Sequence, residues 1–340
     1  MTQAQQPLLS NKHKIKQLAE LQYNFDPVAV KQNLTELFAK TAKVQLCYPF
    51  EDLDGADGLF DKALKPLFEA IPDLERRDTI MISGTTDAGK DWVGCCGYFC
   101  GTFKKAWLDI PPTGHMATMR FHEFYQFEDG KVTQFQAIWD IPELMMQAKA
   151  WPMVPSLGRE WHVPGPASLD GISLTDSDPV LTNHAKNIVM DMCDALGNYA
   201  TGGVEAMRRL NDYWHPRCSW YGPSGIGTAR SITGFRNWHQ IPFLNGLPDR
   251  VGDPHAGHAF ADNNYVAFTA WPGMHMTVSG SGWLGIAPGN QKITMRSLDF
   301  WRVEGDLIRE NWVLVDMLSV YDQLGVDVLA RMGEFNKVRN

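Results

Sequence analysis

The sequence predicts an α+β protein built from two tandem copies of one domain. When the chain is shifted by 176 residues, segment 58–147 aligns without a gap on segment 234–323, and sixteen of the ninety aligned positions are identical. In each copy the helical patterns come first and the strand patterns follow, which is the order of an α+β fold and not of alternating βαβ units. The period is much longer than a solenoid repeat, so each copy should be a domain with its own core.

The bulk composition agrees with two globular domains. A length of 340 residues favours two domains, and 44% hydrophobic residues is ordinary for a globular chain. The net charge is -8 and no long run of Lys or Arg occurs, so nucleic acid is not an expected partner. No apolar stretch is long enough for a membrane span and the polar N-terminus lacks a signal sequence, so we expect a cytoplasmic location.

Changes in composition divide the chain into four parts. We expect an N-terminal tail over residues 1–24, a first domain over 25–149, a linker over 150–183 and a second domain with a C-terminal extension over 184–340. The linker is rich in proline, which excludes a continuous helix. Its two tryptophans, Trp151 and Trp161, suggest that it packs against a domain.

Each copy contains early helices and a later group of strands. Asp26 followed by Pro27 is typical of a helix N-cap with proline in the first turn. The predicted helices cover about 26–38 and 59–70 in the first copy and 184–197, 203–214 and 235–245 in the second. The predicted strands cover 78–83, 92–103, 115–127 and 131–140 in the first copy and 265–271, 274–286, 293–303 and 307–315 in the second.

Three runs in the second copy carry a family resemblance. They are 283–288, 295–303 and 308–316, with Gln323-Leu324-Gly325 behind them, and the first copy matches more loosely at 110–115 and 128–132. These runs resemble the SnoaL-like polyketide cyclase (ester cyclase) family. The resemblance implies two cone-shaped α+β barrels of the nuclear transport factor 2 type, each a curved antiparallel sheet closed by N-terminal helices around an apolar pocket. We expect a pseudo-twofold axis to relate the two copies.

The resemblance also implies a catalytic aspartate at the end of the last strand. Cyclases of this family use it as acid and base in an intramolecular aldol closure, without metal or cofactor. The matching positions here are Asp316 and, through the repeat, Asp140. Strand alternation places Glu310, Trp312 and Leu314 on the same strand face as Asp316, and we expect this face to line the pocket.

The surroundings of Asp316 decide its predicted role. An apolar pocket raises the pKa of a carboxyl group and makes it a suitable general base for a proton next to a carbonyl. The alternative is that Asp316 caps the helix that follows the strand. Asp140 lies on a more polar face and Pro142 follows it, so we expect the C-terminal pocket to carry the chemistry.

Further polar and aromatic side chains complete the predicted site. Glu310 and His275 join Asp316 and Asp140 as predicted catalytic residues. The predicted substrate-binding residues are Trp312, Leu314, Arg296, His239, Tyr221, Trp271 and Trp283 in the second copy and His115, His122 and Arg120 in the first. The donor to an enolate oxygen stays open among His275, Arg296 and Tyr221.

Structural roles compete with these assignments. Glu310 can instead form a salt bridge with Arg296 or Arg309. The equivalent residues Arg120 and Arg296 can be buried arginines that pair with acids. For His122 the competing role is that of a solvent-facing strand residue.

The histidine spacing gives little support for a metal site. His255, His258 and His275 form the one histidine group in the sequence, but the loop pattern around the first two sets no ligand geometry. We therefore expect neither a metal nor a cofactor.

Three functions stay open from the sequence: an acid/base cyclase or isomerase, a small-molecule-binding protein, and a scaffold of two fused domains. Asp316 beside Trp312 and Glu310 favours the enzyme. The expected partner is a small apolar organic molecule, and a ring-forming ester, an epoxide and an unsaturated ketone all suit such a pocket. The fused copies are expected to form an internal pseudo-dimer, and a further homodimer stays open.

The cysteines are predicted to be free thiols. The six cysteines at positions 47, 95, 96, 100, 193 and 218 fit neither a zinc pattern nor a secreted disulfide framework. Thiol titration of denatured, non-reduced protein should therefore count all of them. A count well below six on fresh protein would contradict this expectation.

Overall fold

The computed structural model describes residues 5–197, 209–252 and 257–336. The chain divides into two compact units, and each unit contains one sheet with helices. Unit 1 comprises Met1–Pro152, Gly165–Asp176 and Val326–Asn340, and unit 2 comprises Met153–Pro164 and Ser177–Gly325. The predicted α+β class is confirmed, with an open sheet in each unit.

Unit 1 starts with helices and continues into its sheet. Its helices are α1 (Gln5–Tyr23), α2 (Pro27–Leu37), α3 (Gly55–Leu59), α4 (Lys65–Ala70) and α5 (Ile141–Gln147), and a π-helical turn (Phe60–Leu64) joins α3 to α4. Its strands are β1 (Phe38–Leu46), β2 (Glu51–Leu53), β3 (Glu75–Thr85), β4 (Asp91–Thr102), β5 (Met116–Glu128) and β6 (Lys131–Trp139).

The unit 1 sheet has the order β2-β1-β6-β5-β4-β3. All neighbouring strands are antiparallel except β1 and β6, which are parallel. Helix α2 begins as predicted, because the Asp26 carboxylate accepts hydrogen bonds from the backbone N–H groups of Val28 (2.8 Å) and Ala29 (3.1 Å).

The segment predicted to be an N-terminal tail is the helix α1. Ile15, Leu18 and Ala19 are buried, and their spacing forms one apolar stripe along the helix. Lys12 is buried as well, and its Nζ donates to the carbonyl oxygen of Ser173 at 2.8 Å. The polar residues between these positions make the segment polar overall, so the sequence analysis did not identify the apolar stripe.

Unit 2 repeats this order of elements. Its helices are α6 (Pro179–Gly197), α7 (Ser231–Phe235), α8 (Ile241–Gly246) and α9 (Met317–Gln323). A 3-10 turn (Arg209–Asp212) follows α6 in the described part of the chain, and a π-helical turn (Arg236–Gln240) joins α7 to α8. Its strands are β7 (Trp214–Tyr221), β8 (Thr228–Arg230), β9 (Val251–Gly252), β10 (His258–Asp262), β11 (Tyr265–Val278), β12 (Gln291–Glu304) and β13 (Leu307–Val315).

The unit 2 sheet has the order β10-β11-β12-β13-β7-β8, and β9 pairs with β11. Strands β7 and β13 are parallel, as are their counterparts in unit 1. The sequence analysis missed β1 and β7, because their partner is the last strand of the copy and no local pattern reports such a pairing. Of the predicted helix 203–214, residues 203–208 lie outside the described residues and Trp214 already belongs to β7.

The linker is divided between the two units. Arg159 forms a β-bridge with Thr228 of β8 in unit 2, and Ile172 forms one with Met81 of β3 in unit 1. Because β3 and β8 are end strands, the linker covers backbone edges that would otherwise be open to pairing. Helix α10 (Val328–Asn336), which the sequence analysis placed in the second domain, groups with unit 1.

The cysteines are structural in character. All six lie within the described residues, and none of them forms a disulfide. Burial raises the pKa of Cys96 and Cys193 to about 12, which makes both thiols poor nucleophiles. Among the described helices, none has the length and the apolar composition needed to cross a membrane.

Candidate functional site

Unit 2 contains a cavity of about 200 Å³ between its helices and its sheet. Helix α6, the π-helical turn and α8 supply one wall, and β11, β12 and β13 supply another. Most lining side chains are apolar or aromatic, among them Trp214, Trp220, Trp283 and Trp301. A concave and mostly apolar space with a few polar groups is the usual form of a small-molecule site.

The cavity lies on the opposite face of β13 from the one predicted. The residues of β13 that line it are Asn311, Val313 and Val315. Glu310, Trp312 and Leu314 lie on the other face, and they are buried there. The predicted choice of face is wrong because both faces of this strand are buried, so the polar outer face that normally marks the solvent side is absent.

A salt bridge and ring contacts organise that second face. The Glu310 carboxylate accepts hydrogen bonds from Arg302 Nε at 2.6 Å and from Tyr221 Oη at 3.2 Å. The rings of Trp312 and Tyr221 lie 5.3 Å apart, and Trp312 Nε1 donates to the carbonyl oxygen of Pro164 at 2.9 Å. Glu310 therefore takes the competing role of an ion-pair partner, with Arg302 in place of the two arginines considered from the sequence.

Asp316 is the N-cap residue of α9. Its side chain accepts a hydrogen bond from the Ser319 backbone N–H at 3.2 Å and pairs with Arg296 Nη1 at 3.2 Å. The Arg296 guanidinium lies 4.7 Å from the centroid of the Trp271 ring. None of these side chains is among the residues that line the cavity. The structure thus places Asp316 in the capping role that was the alternative to a general base.

Two of the predicted residues, His239 and Trp283, do line the cavity. The His239 ring stacks on Trp220 with centroids 4.2 Å apart, and Trp283 meets Phe243 edge-on at 5.2 Å. Burial, followed by the positive charge of Arg250, lowers the pKa of His239 to about 3. The imidazole is therefore neutral near pH 7 and carries one hydrogen-bond donor and one acceptor.

The sequence analysis missed the carboxyl group that lines the cavity, which belongs to Asp299. This residue lies in the middle of β12 and is 8% exposed. Burial raises the pKa of Asp299 to about 7, and a hydrogen bond with Ser297 opposes the shift. A signal was present in the sequence, because an acid interrupts an apolar strand and the first copy also has an acid, Glu123, at the equivalent position.

Two indole N–H groups belong to residues that line the same cavity as this acid. Trp214 Nε1 and Trp301 Nε1 are buried, and neither has a hydrogen-bond acceptor among the described residues. Trp301 pairs with Asn311 across β12 and β13, two positions from the pair formed by Asp299 and Val313. Since a buried donor without an acceptor is costly, these two groups are suited to bind an oxygen atom of a ligand.

The other predicted histidines do not line the cavity. His275 is exposed on β11, and His115 is exposed just before β5. His122 is fully buried on β5 in unit 1, so the competing role of a solvent-facing strand residue is wrong for it.

The histidine group considered for a metal does not assemble among the described residues. His258 pairs with Thr269. This partner lies six residues before His275 on the same strand, a separation of roughly 20 Å. The third member, His255, lies outside the described residues.

Unit 1 has an equivalent of the Arg296–Asp316 pair, and both of its members are buried. Asp140 precedes α5 and pairs with Arg120 at 3.6 Å. In the first turn of α5, Glu143 accepts a hydrogen bond from the Arg120 backbone N–H at 2.6 Å. Burial, followed by the negative charge of Asp140, raises the pKa of Glu143 to about 8. Both copies therefore use this arginine as the partner of an acid, and it is buried in unit 1 and partly exposed in unit 2.

The positions that line the cavity in unit 2 are filled in unit 1. Through the repeat, Ser297, Asn311 and Val315 correspond to the larger residues Phe121, Phe135 and Trp139. The rings of Phe99 and Phe121 lie 4.8 Å apart, and those of Phe99 and Trp139 lie 5.2 Å apart. These aromatic side chains are buried and form part of a packed core.

The acid of unit 1 is held by donors on several sides. Glu123 accepts hydrogen bonds from Arg76 Nη1 and Tyr125 Oη, both at 2.6 Å, and from Trp139 Nε1 at 3.1 Å. Arg76 replaces the Gly252 of unit 2 and pairs with Asp78 as well. Glu123 is thus enclosed by donors, whereas Asp299 borders a cavity.

The sequence profile of the SnoaL-like polyketide cyclases matches residues 26–148 and 198–324. The chain therefore belongs to the SnoaL-like polyketide cyclase family and contains the family domain twice. This result confirms the resemblance drawn from the motifs. No curated protein matches the chain.

Solved structures with a similar fold come from several bacteria. IdmH, a candidate polyketide cyclase from Streptomyces antibioticus, has 18% identity and a TM-score of 0.34, with 41% of this chain and 98% of that chain covered. A SnoaL-like polyketide cyclase from Agrobacterium tumefaciens has 21% identity and a TM-score of 0.32, with coverages of 40% and 96%. AclR, a candidate hydroxylase from Streptomyces galilaeus, has 16% identity and a TM-score of 0.36, with coverages of 44% and 86%.

The enclosed ion pair of unit 1 predicts that substitutions of two neighbouring arginines differ greatly in their effect on the free energy of unfolding. Arg76→Met leaves Glu123 buried without its cation and should lower the free energy of unfolding by about 3–5 kcal/mol. Arg77→Met removes an exposed pair with Glu75 and should cost at most about 1 kcal/mol. Urea unfolding followed by circular dichroism measures both values, and equal losses would contradict the role given to Arg76.

Proposed function

We propose that unit 2 is the catalytic unit and that it carries out cyclase-type acid/base chemistry on a small apolar carbonyl or ester compound. The proposal is supported by family membership and by the cavity. The observation that carries it is Asp299, the only carboxyl-bearing residue among the described residues that line the cavity. Its pKa of about 7 suits a group that both takes and returns a proton near neutral pH.

The proposed reaction is an intramolecular aldol closure. The Asp299 carboxylate removes a proton from the carbon next to a carbonyl group, and the resulting enolate attacks a second carbonyl carbon of the same molecule. The new alkoxide then takes the proton back from Asp299. Only protons move between protein and substrate, so the proposed chemistry is independent of a cofactor.

The indole N–H groups of Trp214 and Trp301 are the proposed donors to the enolate oxygen. They replace His275, Arg296 and Tyr221, which the sequence left open for this role and which do not line the cavity. Donors fixed by the fold stabilise developing negative charge without reorganisation. Neutral His239 is the proposed contact to a second oxygen of the substrate, and the aromatic walls bind its apolar body.

A binding protein without catalysis is the second candidate. The aromatic character of the cavity, with the stacked pair of Trp220 and His239, favours it. The two functions differ in whether the bound compound loses a carbon-bound proton. Mass spectrometry of protein purified from its own cells would identify a retained ligand in either case.

Asp299→Asn should abolish proton abstraction from carbon. 5-Nitrobenzisoxazole is a suitable probe, because its ring opens once one carbon-bound proton is removed and the product absorbs visible light. The substitution keeps the shape and removes the base, so the rate should fall on the order of 10²–10⁴-fold. Asp316→Asn should stay close to wild type, because asparagine is also a good N-cap.

The comparison of these two variants decides between the two aspartates. A loss confined to Asp316→Asn would restore the assignment made from the sequence, and a wild-type rate equal to that of buffer would contradict a catalytic base.

The folded pKa of Asp299 is raised, so its ionisation destabilises the fold increasingly as the pH rises from about 4 to about 7. Asp299→Asn should therefore unfold at no lower urea concentration than wild type at pH 8.

The wild-type rate should depend on pH through Asp299. The base form is the carboxylate, so the rate of 5-nitrobenzisoxazole opening, corrected for buffer, should rise and level off as the pH passes about 7. The rise should be absent in Asp299→Asn. A rise centred near pH 4, the usual range for an exposed aspartate, would contradict the buried environment assigned to this residue.

A further inference from the structure

One wall of the cavity is attached to the linker. Ile226 lines the cavity and belongs to a loop, residues 222–227, which we call the cavity loop. Every residue of the cavity loop is buried. A buried loop needs hydrogen-bond partners for its backbone, and residues 156–161 of the linker supply several of them.

The backbone of the linker pairs with the cavity loop and with the residue that follows it. Gly158 N donates to the carbonyl oxygen of Ile226 at 2.9 Å. Arg159 and Thr228 exchange two backbone hydrogen bonds, each of 2.9 Å, which makes a short antiparallel bridge. These bonds place the main chain of Ile226 directly against the linker.

Two side chains of the linker add to this attachment. The Glu160 carboxylate accepts a hydrogen bond from the Gly225 backbone N–H at 3.0 Å and another from Ser156 Oγ. Trp161 Nε1 donates to Thr228 Oγ1 at 3.0 Å. The linker therefore holds the cavity loop at Gly225 and Ile226, and it holds Thr228 directly after the loop.

The backbones approach so closely that only glycine fits. A Cβ atom at Gly158 would lie 2.7 Å from the carbonyl carbon of Gly227 and 2.9 Å from the carbonyl oxygen of Ile226. Gly227 has a φ of 84°, a conformation that other residues rarely adopt. Gly158 and Gly227 thus set the distance between the linker and the cavity loop, and Ile226 has little freedom to move outward.

We propose that residues 156–161 of the linker fix the position of Ile226 and thereby limit the size of the ligand that the unit 2 cavity accepts. The linker is then a specificity-determining part of the site in addition to a connection between repeats. The proposal rests on the proposed function only in taking the cavity as the substrate site. It makes a statement about binding, which can be tested without any turnover.

The second half of the linker offers a matched control. Gly171 lies in unit 1, and a Cβ atom there would meet the carbonyl oxygen of Thr79 and the side chain of Pro166. Gly158→Ala and Gly171→Ala therefore introduce the same methyl group, and the contact at Gly171 is at least as crowded as that at Gly158. Only the first contact lies behind the wall that carries Ile226.

The experiment measures the affinity of the full-length protein for phenol and for 1-naphthol by isothermal titration calorimetry. Gly158→Ala should push the cavity loop towards the cavity and weaken 1-naphthol binding about tenfold, since the added methyl group overpacks the contact behind the loop. Phenol, with one ring, should be affected much less. Gly171→Ala should bind both compounds as wild type does.

Further variants keep the proposal open to contradiction if Gly158→Ala folds poorly. Glu160→Gln keeps the side-chain shape and weakens only the bond to Gly225, so it should hold the cavity loop less tightly and shift the preference towards 1-naphthol by a small factor. Ile226→Ala should shift the preference towards 1-naphthol. An unchanged ratio of phenol to 1-naphthol affinity in Glu160→Gln and Ile226→Ala would overturn the proposal. An equal loss of 1-naphthol affinity in Gly171→Ala would overturn it as well.

The failure of the proposed function would look different. In that case Asp299→Asn and wild type would show the same rate with 5-nitrobenzisoxazole, while the ratio of phenol to 1-naphthol affinity would still respond to Gly158→Ala. Conversely, a base at Asp299 with no response to the linker variants would refute the present inference alone.

Discussion

Burial on both faces of the strand pair β12–β13 is the constraint on which the polar groups of unit 2 depend. A buried carboxyl group either gains a cation or changes its pKa, because water no longer stabilises its charge. Glu310 has the first solution, with Arg302 at 2.6 Å. Asp299 has the second, with Ser297 as hydrogen-bond partner and no ion pair to a described residue. Only the second solution leaves a group that exchanges protons near neutral pH.

The two copies show how one fold gives a packed core or a cavity. Replacing Ser297 and Asn311 by Phe121 and Phe135 fills the space, and Glu123 forms an ion pair with Arg76 at 2.6 Å. Large side chains gain buried apolar area, which favours stability, whereas a cavity forfeits it. The two copies therefore differ in their interiors: unit 1 has a packed aromatic core, and unit 2 has a cavity beside a carboxyl group.

Linker and site are connected by backbone geometry. Backbone hydrogen bonds are directional and glycine contacts are short, so the attachment of the cavity loop to residues 156–161 transmits position more faithfully than apolar packing does. A segment that looks like a flexible connection in sequence thereby acquires a defined place against the loop that carries Ile226. Proline in the linker assists, because it reduces the number of conformations available before folding.

The sequence by itself determined the duplication, the α+β class, the family and local features such as the Asp26 cap, since each is written in residue spacing or in a short motif. It also predicted that side chains alternate between the two faces of β13, but it did not predict which of the two sets faces the helices. That choice depends on what covers each face, and both faces are buried. Only the tertiary structure shows that Asp299, and not Asp316, lines the cavity, since the cavity is formed by helices far away in sequence.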